Sequence, residues 1–273
     1  MRRLISFALV TLFVVMATVL SPLARGEVKT KVIEYKAGDT LMEGTLYWDD
    51  AAPRRAGDGG KMPGVVVFPE WWGLTGYPKK RAHMLAELGY VAFAADMYGK
   101  GKTTDDPTEA GKWMAAVKQD RVVEMDRVYA AMEVLFGQPQ VDSKRTAAIG
   151  YCFGGTMALE LARRGSTPPL GVVSFHGDLS TTAPAERAGP KVLVLTGGDD
   201  KWVTPEQVKT FEDEMKKAGV EYRVTSYPGA QHAFTNPDAD KFKLDNVKYN
   251  ADADKQSWEA MKQFLADLFN KGK

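Results

Sequence analysis

Short apolar runs alternate with helical segments along most of this 273-residue chain, and this alternation constrains the fold more than any other feature. A strand that is covered on both faces is apolar throughout, and parallel sheets are covered in this way. The order of the runs therefore predicts an α/β fold with a mostly parallel central sheet and helices on both faces. The runs are GVVVFP (64–69), VAFAAD (91–96), TAAIG (146–150), LGVVSF (170–175), KVLVLTG (191–197) and EYRVTSY (221–227).

Helices are predicted between these strands from apolar residues at helical spacing. One of them, 205–218, has Thr204 as its expected N-cap and Pro205 at its first position. Before the first apolar run, two alternating segments predict an antiparallel hairpin at the edge of the sheet. The hairpin segments are 28–35 and 41–48, and the other predicted helices are 77–90, 108–136, 154–164 and 253–270.

The first 26 residues have the pattern of an export signal. Two arginines precede a run of 17 mostly apolar residues, and Ala24 and Gly26 supply small side chains at the −3 and −1 positions of a cleavage site before Glu27. We therefore expect a signal peptide over 1–26, a single α/β domain over 27–273, and a periplasmic or secreted protein. The alternative is an uncleaved anchor, because 17 residues are at the short limit for crossing a bilayer.

Charge excludes several classes of partner. The chain has 36 basic and 35 acidic residues, and loss of the three arginines before Glu27 would change the net charge from +1 to −2. Such a balance offers no basic field for a nucleic acid and no basic helix for a membrane surface once the signal is removed. The expected partner is a small molecule, and the chain is expected to be a monomer.

No cofactor and no metal are predicted. The aspartate-rich run 236–255 lacks the glycine and final glutamate of a calcium loop. Histidines and the single cysteine do not occur at zinc-ligand spacing.

Reactive side chains follow the predicted strands, where ligands bind in sheets of this type. A cysteine, acids and histidines are thereby expected at one edge of the sheet: Glu70, Asp96, Cys152, His176, Asp199, Asp200 and His232. The only cysteine lies in GYCFGG (150–155), between a strand and a helix. This is the G-x-nucleophile-x-G pattern of a nucleophile elbow, in which glycines allow strand and helix to approach closely. The N-terminus of the following helix favours a thiolate. The alternative is a small buried cysteine that only packs.

Four motifs in the same order resemble the dienelactone hydrolase family, a cysteine-dependent branch of the α/β-hydrolase fold. They are FPEWWGL (68–74), GYCFGG (150–155), TGGDDKWVTPEQV (196–208) and YPGAQHAF (227–234). The resemblance covers nearly all of the chain after residue 26. It implies hydrolysis of a carboxylic ester or lactone through an acyl-enzyme.

The resemblance also implies roles for individual residues. Cys152 matches the nucleophile, His232 the general base, and Asp200, preferred to Asp199, the acid that orients it. Glu70 matches a glutamate that is hydrogen-bonded to the thiol at rest. The backbone N–H groups of Trp71 and Phe153 would form an oxyanion hole.

The sequence departs from the family at the residues that bind a substrate carboxylate. Where the family has two arginines, this chain offers Lys100 and Lys102 after Tyr98, and Asn236 four residues after His232. A lysine binds a carboxylate as a point charge, without the bidentate geometry of arginine. A neutral or differently charged ester is therefore as consistent with the sequence as dienelactone. The pocket candidates are Tyr98, Lys100, Trp72 and His176, although a structural role is favoured for His176.

The same residues are consistent with two other functions. The same Cys–Asp–His set could cleave a thioester or a peptide. A non-catalytic protein could instead bind a small ligand or respond to oxidants through Cys152, although such a protein has no need of all three residues.

Overall fold

A single mixed sheet organises the computed structural model, which describes residues 26–52, 59–164 and 169–270. Within these ranges the sheet has eight strands. They are β1 (Val28–Ala37), β2 (Thr40–Asp49), β3 (Met62–Phe68), β4 (Val91–Ala94), β5 (Val141–Tyr151), β6 (Gly171–Phe175), β7 (Lys191–Gly197) and β8 (Tyr222–Tyr227). Residues 1–25, which contain nearly all of the predicted signal peptide, lie outside the described ranges.

The strand order is β1-β2-β4-β3-β5-β6-β7-β8. Strands β1 and β2 form the predicted antiparallel hairpin, β2 runs antiparallel to β4, and all strands from β4 to β8 pair in parallel. The mostly parallel sheet predicted from the apolar runs is confirmed. All parallel strands consequently present their carboxyl ends at one edge.

Helices cover both faces of the sheet. They are α1 (Gly76–Glu87), α2 (Pro107–Gln119), α3 (Arg121–Phe136), α4 (Phe153–Arg164), α5 (Pro205–Ala218) and α6 (Ala251–Asn270), with a 3₁₀ turn at Ala239–Phe242. The side chain of Thr204 caps α5 by accepting from the Gln207 N–H, as predicted. The segment predicted as helical over 108–136 forms two helices. The Asp120 side chain accepts hydrogen bonds from the N–H groups of Val122 and Val123 and so caps the N-terminus of α3.

The core lies in two layers, one on each side of the sheet. In β3, Val66 and Phe68 pack into one layer, whereas Val65 and Val67 pack into the other. This two-sided burial explains why the central strands are continuously apolar. No helix in the described ranges has the length and apolar character needed to cross a membrane.

Candidate active site

The loops after the parallel strands bring five of the predicted residues together. Glu70 follows β3, Cys152 follows β5, Asp200 follows β7, and His232 follows β8. Trp71, next to Glu70, lines a cavity of about 270 Å³ together with Cys152 and His232. The parallel topology therefore gathers residues that are far apart in the chain at one edge, as expected.

Cys152 occupies a sharp turn between β5 and α4. Its φ is +53°, in the left-handed region that residues other than glycine seldom adopt. A Cβ added to Gly150 would lie 1.9 Å from the carbonyl oxygen of Gly154, and one added to Gly154 would lie 2.3 Å from that of Phe68. Only glycine fits at these two positions, so the close packing of β5, α4 and β3 depends on the G-x-C-x-G pattern.

Two backbone donors next to Cys152 are free. The N–H groups of Trp71 and Phe153 donate no hydrogen bond to any residue that the structure describes. Phe153 is the first residue of α4, so its N–H is one of the unpaired donors at the positive end of the helix dipole. Both residues line the cavity that contains Cys152. Both N–H groups are therefore available to an atom that enters the cavity.

His232 is held by Asp200. Its Nδ1 lies 2.8 Å from Asp200 Oδ2, and both side chains are almost fully buried. The other carboxylate oxygen of Asp200 accepts from Asn246 Nδ2 at 3.0 Å and from the Trp202 N–H at 2.9 Å. Asp199 is exposed, so Asp200 is the acid that contacts the histidine.

The charged groups of the site stabilise one another. Burial alone would lower the pKa of His232, but the Cys152 sulfur and the hydrogen bond to Asp200 outweigh it and raise this pKa to about 10. Burial would likewise raise the pKa of Asp200, yet the hydrogen bonds from His232 and Asn246 keep this pKa below its usual value. A protonated His232 between a carboxylate and a sulfur is therefore favoured near neutral pH.

Glu70 is buried, with 2% of its surface exposed. Its Oε2 accepts from Asn236 Nδ2 at 2.7 Å, and it makes no hydrogen bond to Cys152 within the described ranges. The thiol–glutamate hydrogen bond implied by the family resemblance is thus not present. Burial raises the pKa of Glu70 to about 7, and the Asn236 hydrogen bond and the nearby His232 limit the rise. The neutral Asn236 amide stabilises a charged carboxylate less than a cation would, so the pKa of Glu70 stays near neutral pH.

The four pocket candidates lie in different places. Trp72 lines a small recess next to the main cavity, together with Glu70 and Cys152, and stacks on Phe242 at 3.9 Å between ring centroids. Tyr98 lies behind the cavity wall, where its ring stacks on Phe153 at 5.8 Å.

The other two candidates do not line the cavity. Lys100 forms ion pairs with Glu34 of β1 and Glu43 of β2, so the prediction that it lines the pocket was wrong. The order of residues in the sequence could not show that the β1–β2 hairpin lies beside Lys100. His176 is fully buried. Its Nδ1 accepts the Cys152 backbone N–H at 3.1 Å, and its Nε2 lies 2.8 Å from Thr235 Oγ1.

Several residues of the site were not predicted. The cavity wall also contains Met114, Lys118, Thr156, Asp178 and Val203. Met114 and Lys118 are four residues apart in α2 and share a face, but nothing in the sequence indicates that this face turns toward Cys152. The two amides that contact the buried acids, Asn236 and Asn246, lie in the aspartate-rich run 236–255, and the sequence indicated no contact with Glu70 or Asp200 for either of them. Within the described ranges, no group of three histidine, cysteine or acidic side chains is placed to hold a metal ion.

The chain is similar in sequence to known proteins. The sequence model of the dienelactone hydrolase family matches residues 51–269. An Aquifex aeolicus protein named "Putative carboxymethylenebutenolidase" is 30% identical over 211 residues, which cover 76% of this chain and 87% of that protein. A Bradyrhizobium protein named "Probable 2-oxo-3-(5-oxofuran-2-ylidene)propanoate lactonase" is 32% identical, over 64% of this chain and 74% of its own length.

A solved structure is similar over nearly the whole chain. The crystal structure of a dienelactone hydrolase-like promiscuous phosphotriesterase from metagenomic libraries has a TM-score of 0.81 and 35% identity, and the match covers 90% of this chain and 100% of that one. The family match, the parallel sheet and the cysteine at the turn before α4 lead to one conclusion. The chain belongs to the dienelactone hydrolase family.

Proposed function

We propose that the chain hydrolyses a carboxylic ester or lactone through an acyl-enzyme on Cys152. One observation carries the proposal: His232 is held by Asp200 at 2.8 Å, and its pKa is raised by the sulfur of a cysteine at a nucleophile elbow. The lactonase and carboxymethylenebutenolidase names of two relatives support the same reaction class.

In the first half-reaction, the Cys152 thiolate attacks the carbonyl carbon and forms a C–S bond. The carbonyl π electrons move to oxygen, where the free N–H groups of Trp71 and Phe153 would stabilise the negative charge. When the tetrahedral intermediate collapses, the C–O bond breaks and the protonated His232 donates its Nε2 proton to the leaving oxygen. The products are a thioester on Cys152, an alcohol and a neutral imidazole.

In the second half-reaction, neutral His232 accepts a proton from water as the water oxygen attacks the thioester carbon. The C–S bond then breaks, the acid is released, and the thiolate–imidazolium pair is restored. Asp200 stabilises the imidazolium throughout and does not itself take up the proton.

Glu70 is proposed to adjust the charge of the Cys152–His232 pair. It lines the same small recess as both residues, and its pKa of about 7 lets its charge change near neutral pH. A charged Glu70 favours protonated His232 and opposes a thiolate, whereas a neutral Glu70 removes that opposition. We therefore expect the pH–rate profile to contain an ionisation near pH 7 in addition to that of His232. Glu70→Gln should abolish this ionisation.

The test is a burst assay of residues 27–273 with p-nitrophenyl acetate, with mass spectrometry of the quenched protein. The expected result is a burst of p-nitrophenol, an acetyl group on Cys152, and loss of both in Cys152→Ala. Turnover that persists in Cys152→Ala would contradict the acyl-enzyme route. An absence of turnover with activated esters and lactones, combined with rapid oxidation of Cys152 by peroxide, would favour the oxidant-responsive alternative.

We also propose that the protein is exported and cleaved before Glu27. The proposal rests on the arginines, apolar run and small residues of the first 26 positions. Expression of the full chain in a Gram-negative host, followed by fractionation and N-terminal sequencing, should give a periplasmic protein that begins at Glu27. Retention in the membrane fraction with residues 1–26 intact would favour the uncleaved anchor.

A further inference from the structure

Apart from the Cys152–His232 pair, the described residues that line the cavity beside Cys152 include one cation and one anion, and these two are paired with each other. Lys118 Nζ lies 3.1 Å from Asp178 Oδ2, with side-chain exposures of 37% and 35%. Lys118 comes from the last turn of α2, whereas Asp178 lies in the loop after β6. Two elements that are distant in sequence thus bring opposite charges to the wall of one cavity.

Asp178 is held in a charged state and a fixed orientation. Its Oδ1 accepts the Ser180 N–H at 3.0 Å and the Ser180 hydroxyl at 2.7 Å, which leaves Oδ2 for Lys118. Burial would raise the pKa of Asp178, but the hydrogen bonds from Ser180 and the charge of Lys118 keep this pKa below its usual value. Glu124 of α3 is also within electrostatic range of Lys118, and it is paired with Arg121 at 3.7 Å.

The rest of the cavity is mostly apolar. Trp71, Met114, Phe153, Trp202 and Val203 form its other walls, with Thr156, Cys152 and His232 between them. A carboxylate that entered would be desolvated among these side chains and would meet a lysine that is already neutralised. It would also be repelled by Asp178. A neutral apolar group gains from burial and leaves the ion pair intact.

We propose that this cavity selects a neutral, apolar acyl group, and that the Lys118–Asp178 pair determines specificity against acyl groups with a carboxylate. The inference rests on the proposed acyl-enzyme. The acyl group remains bonded to Cys152 after the alcohol has left, so it is the part of the substrate that stays in the cavity around Cys152. The volume of about 270 Å³ accommodates a short chain or a single ring.

The test compares p-nitrophenyl butyrate with p-nitrophenyl hemisuccinate, which differ only in a terminal methyl or carboxylate. The wild-type kcat/KM should favour the butyrate by about tenfold or more. In Asp178→Asn, which keeps the shape of the side chain, Lys118 is released from its closest partner and the preference should fall by about fivefold. In Lys118→Met, an unpaired Asp178 remains and the preference for butyrate should increase.

A matched control is available in α5, where Lys209 pairs with Asp213 on the surface. Asp213→Asn makes the same chemical change outside the cavity and should leave the preference unchanged. Equal kcat/KM for the two esters, or equal effects of Asp178→Asn and Asp213→Asn, would overturn the inference.

Binding of both esters to Cys152→Ala, measured by calorimetry, separates this inference from the proposed function. If the wild-type protein hydrolysed neither ester, the proposed reaction would be contradicted. The relative affinities of the two esters would still test whether the cavity prefers the neutral acyl group. Tighter binding of the butyrate to Cys152→Ala supports the inference, whereas equal or reversed affinities overturn it.

Discussion

Two buried histidine rings lie 5.1 Å apart beside Cys152, and their surroundings drive them to opposite charge states. The Cys152 sulfur and Asp200 raise the pKa of His232 to about 10. Burial lowers the pKa of His176 well below its usual value, and the neighbouring His232 lowers it further. Both rings are enclosed by protein, so burial does not distinguish them. The difference is the carboxylate of Asp200, which contacts His232, whereas His176 contacts no carboxylate among the residues that the structure describes.

The hydrogen bonds of the two histidines differ in the same way. His232 lies against a carboxylate, whereas His176 accepts a backbone N–H and contacts the Thr235 hydroxyl, which also accepts from Tyr77. A neutral ring with Nδ1 as acceptor and Nε2 as donor satisfies both contacts of His176. In the proposed reaction, the same residue type therefore has a reactive role at one position and a positioning role at the other.

The largest expected effect is on turnover in His232→Ala. Without a base that can transfer protons, kcat for an ester should fall by about 10³- to 10⁴-fold. Steady-state kinetics with p-nitrophenyl acetate would measure the loss, with circular dichroism as a check on folding. His176→Asn is the matched control, because the Asn oxygen can still accept the Cys152 N–H; its kcat should stay within about tenfold of wild type. Equal losses in the two variants would break the contrast.

The opposite charge states can be observed directly by NMR. The chain has three histidines, and His83, half-exposed on α1, provides a surface reference. In ¹⁵N spectra the His232 ring should stay protonated until the pH approaches 10, whereas His176 should stay neutral throughout the acidic range in which the fold survives. Cys152→Ala should lower the pKa of His232, since the sulfur is the strongest influence that raises it. A His232 that titrates at an ordinary pH would refute this assignment.

The smaller contribution of His176 should appear in stability. His176→Ala removes a fully buried ring, leaves a cavity, and takes one partner from Thr235. We expect the free energy of unfolding to fall by about 2–4 kcal/mol, measured by urea denaturation. The Cys152 N–H retains the Phe175 carbonyl as an acceptor at 2.9 Å, so the folded fraction should keep most of its activity. Unchanged stability with abolished turnover would assign His176 a reactive role instead.

The contrast between the two histidines also shows what the sequence could predict. Continuous apolar runs predicted the parallel strands, and glycines on both sides of Cys152 predicted the turn, because these patterns act over a few residues. Once the strands are parallel, residues that follow them must meet at one edge. The resemblance to a known family could then place Asp200 beside His232.

Contacts made by later packing could not be predicted in this way. Asn236 and Asn246 contact buried acids only because the 236–252 segment folds back over the site, and α2 contributes Lys118 only because of the angle at which it packs. The break between α2 and α3 at Asp120 has a local cause, an N-cap, yet it lies within a continuous helical pattern. The hydrogen-bond partner of Glu70 was likewise set by the fold, since Asn236 occupies the position where the family pattern has arginine.

The smallest predicted effect concerns Glu70, whose partner is a neutral amide whereas Asp200 has a charged ring. The pKa of Glu70 is about 7 in the folded protein, against an ordinary value of 4.5. Because the folded state holds this proton more tightly, its contribution to stability is complete below pH 4.5 and is lost as the pH rises through 7.

Glu70→Gln removes this dependence, so its free energy of unfolding relative to wild type should rise by about 2–3 kcal/mol between pH 4.5 and 8. Urea denaturation at several pH values would measure the difference. Asp200→Asn should behave in the opposite sense and in a lower pH range. The pKa of Asp200 is held below its ordinary value of 3.8, so its carboxylate stabilises the folded state above pH 3.8 and this contribution is lost as the pH falls further. The variant should therefore lose stability relative to wild type at neutral pH, and this loss should shrink as the pH falls below 3.8. If the two variants changed with pH in the same direction, a charged partner would not be what separates these buried carboxylates, and the argument for the two histidines would fail with it.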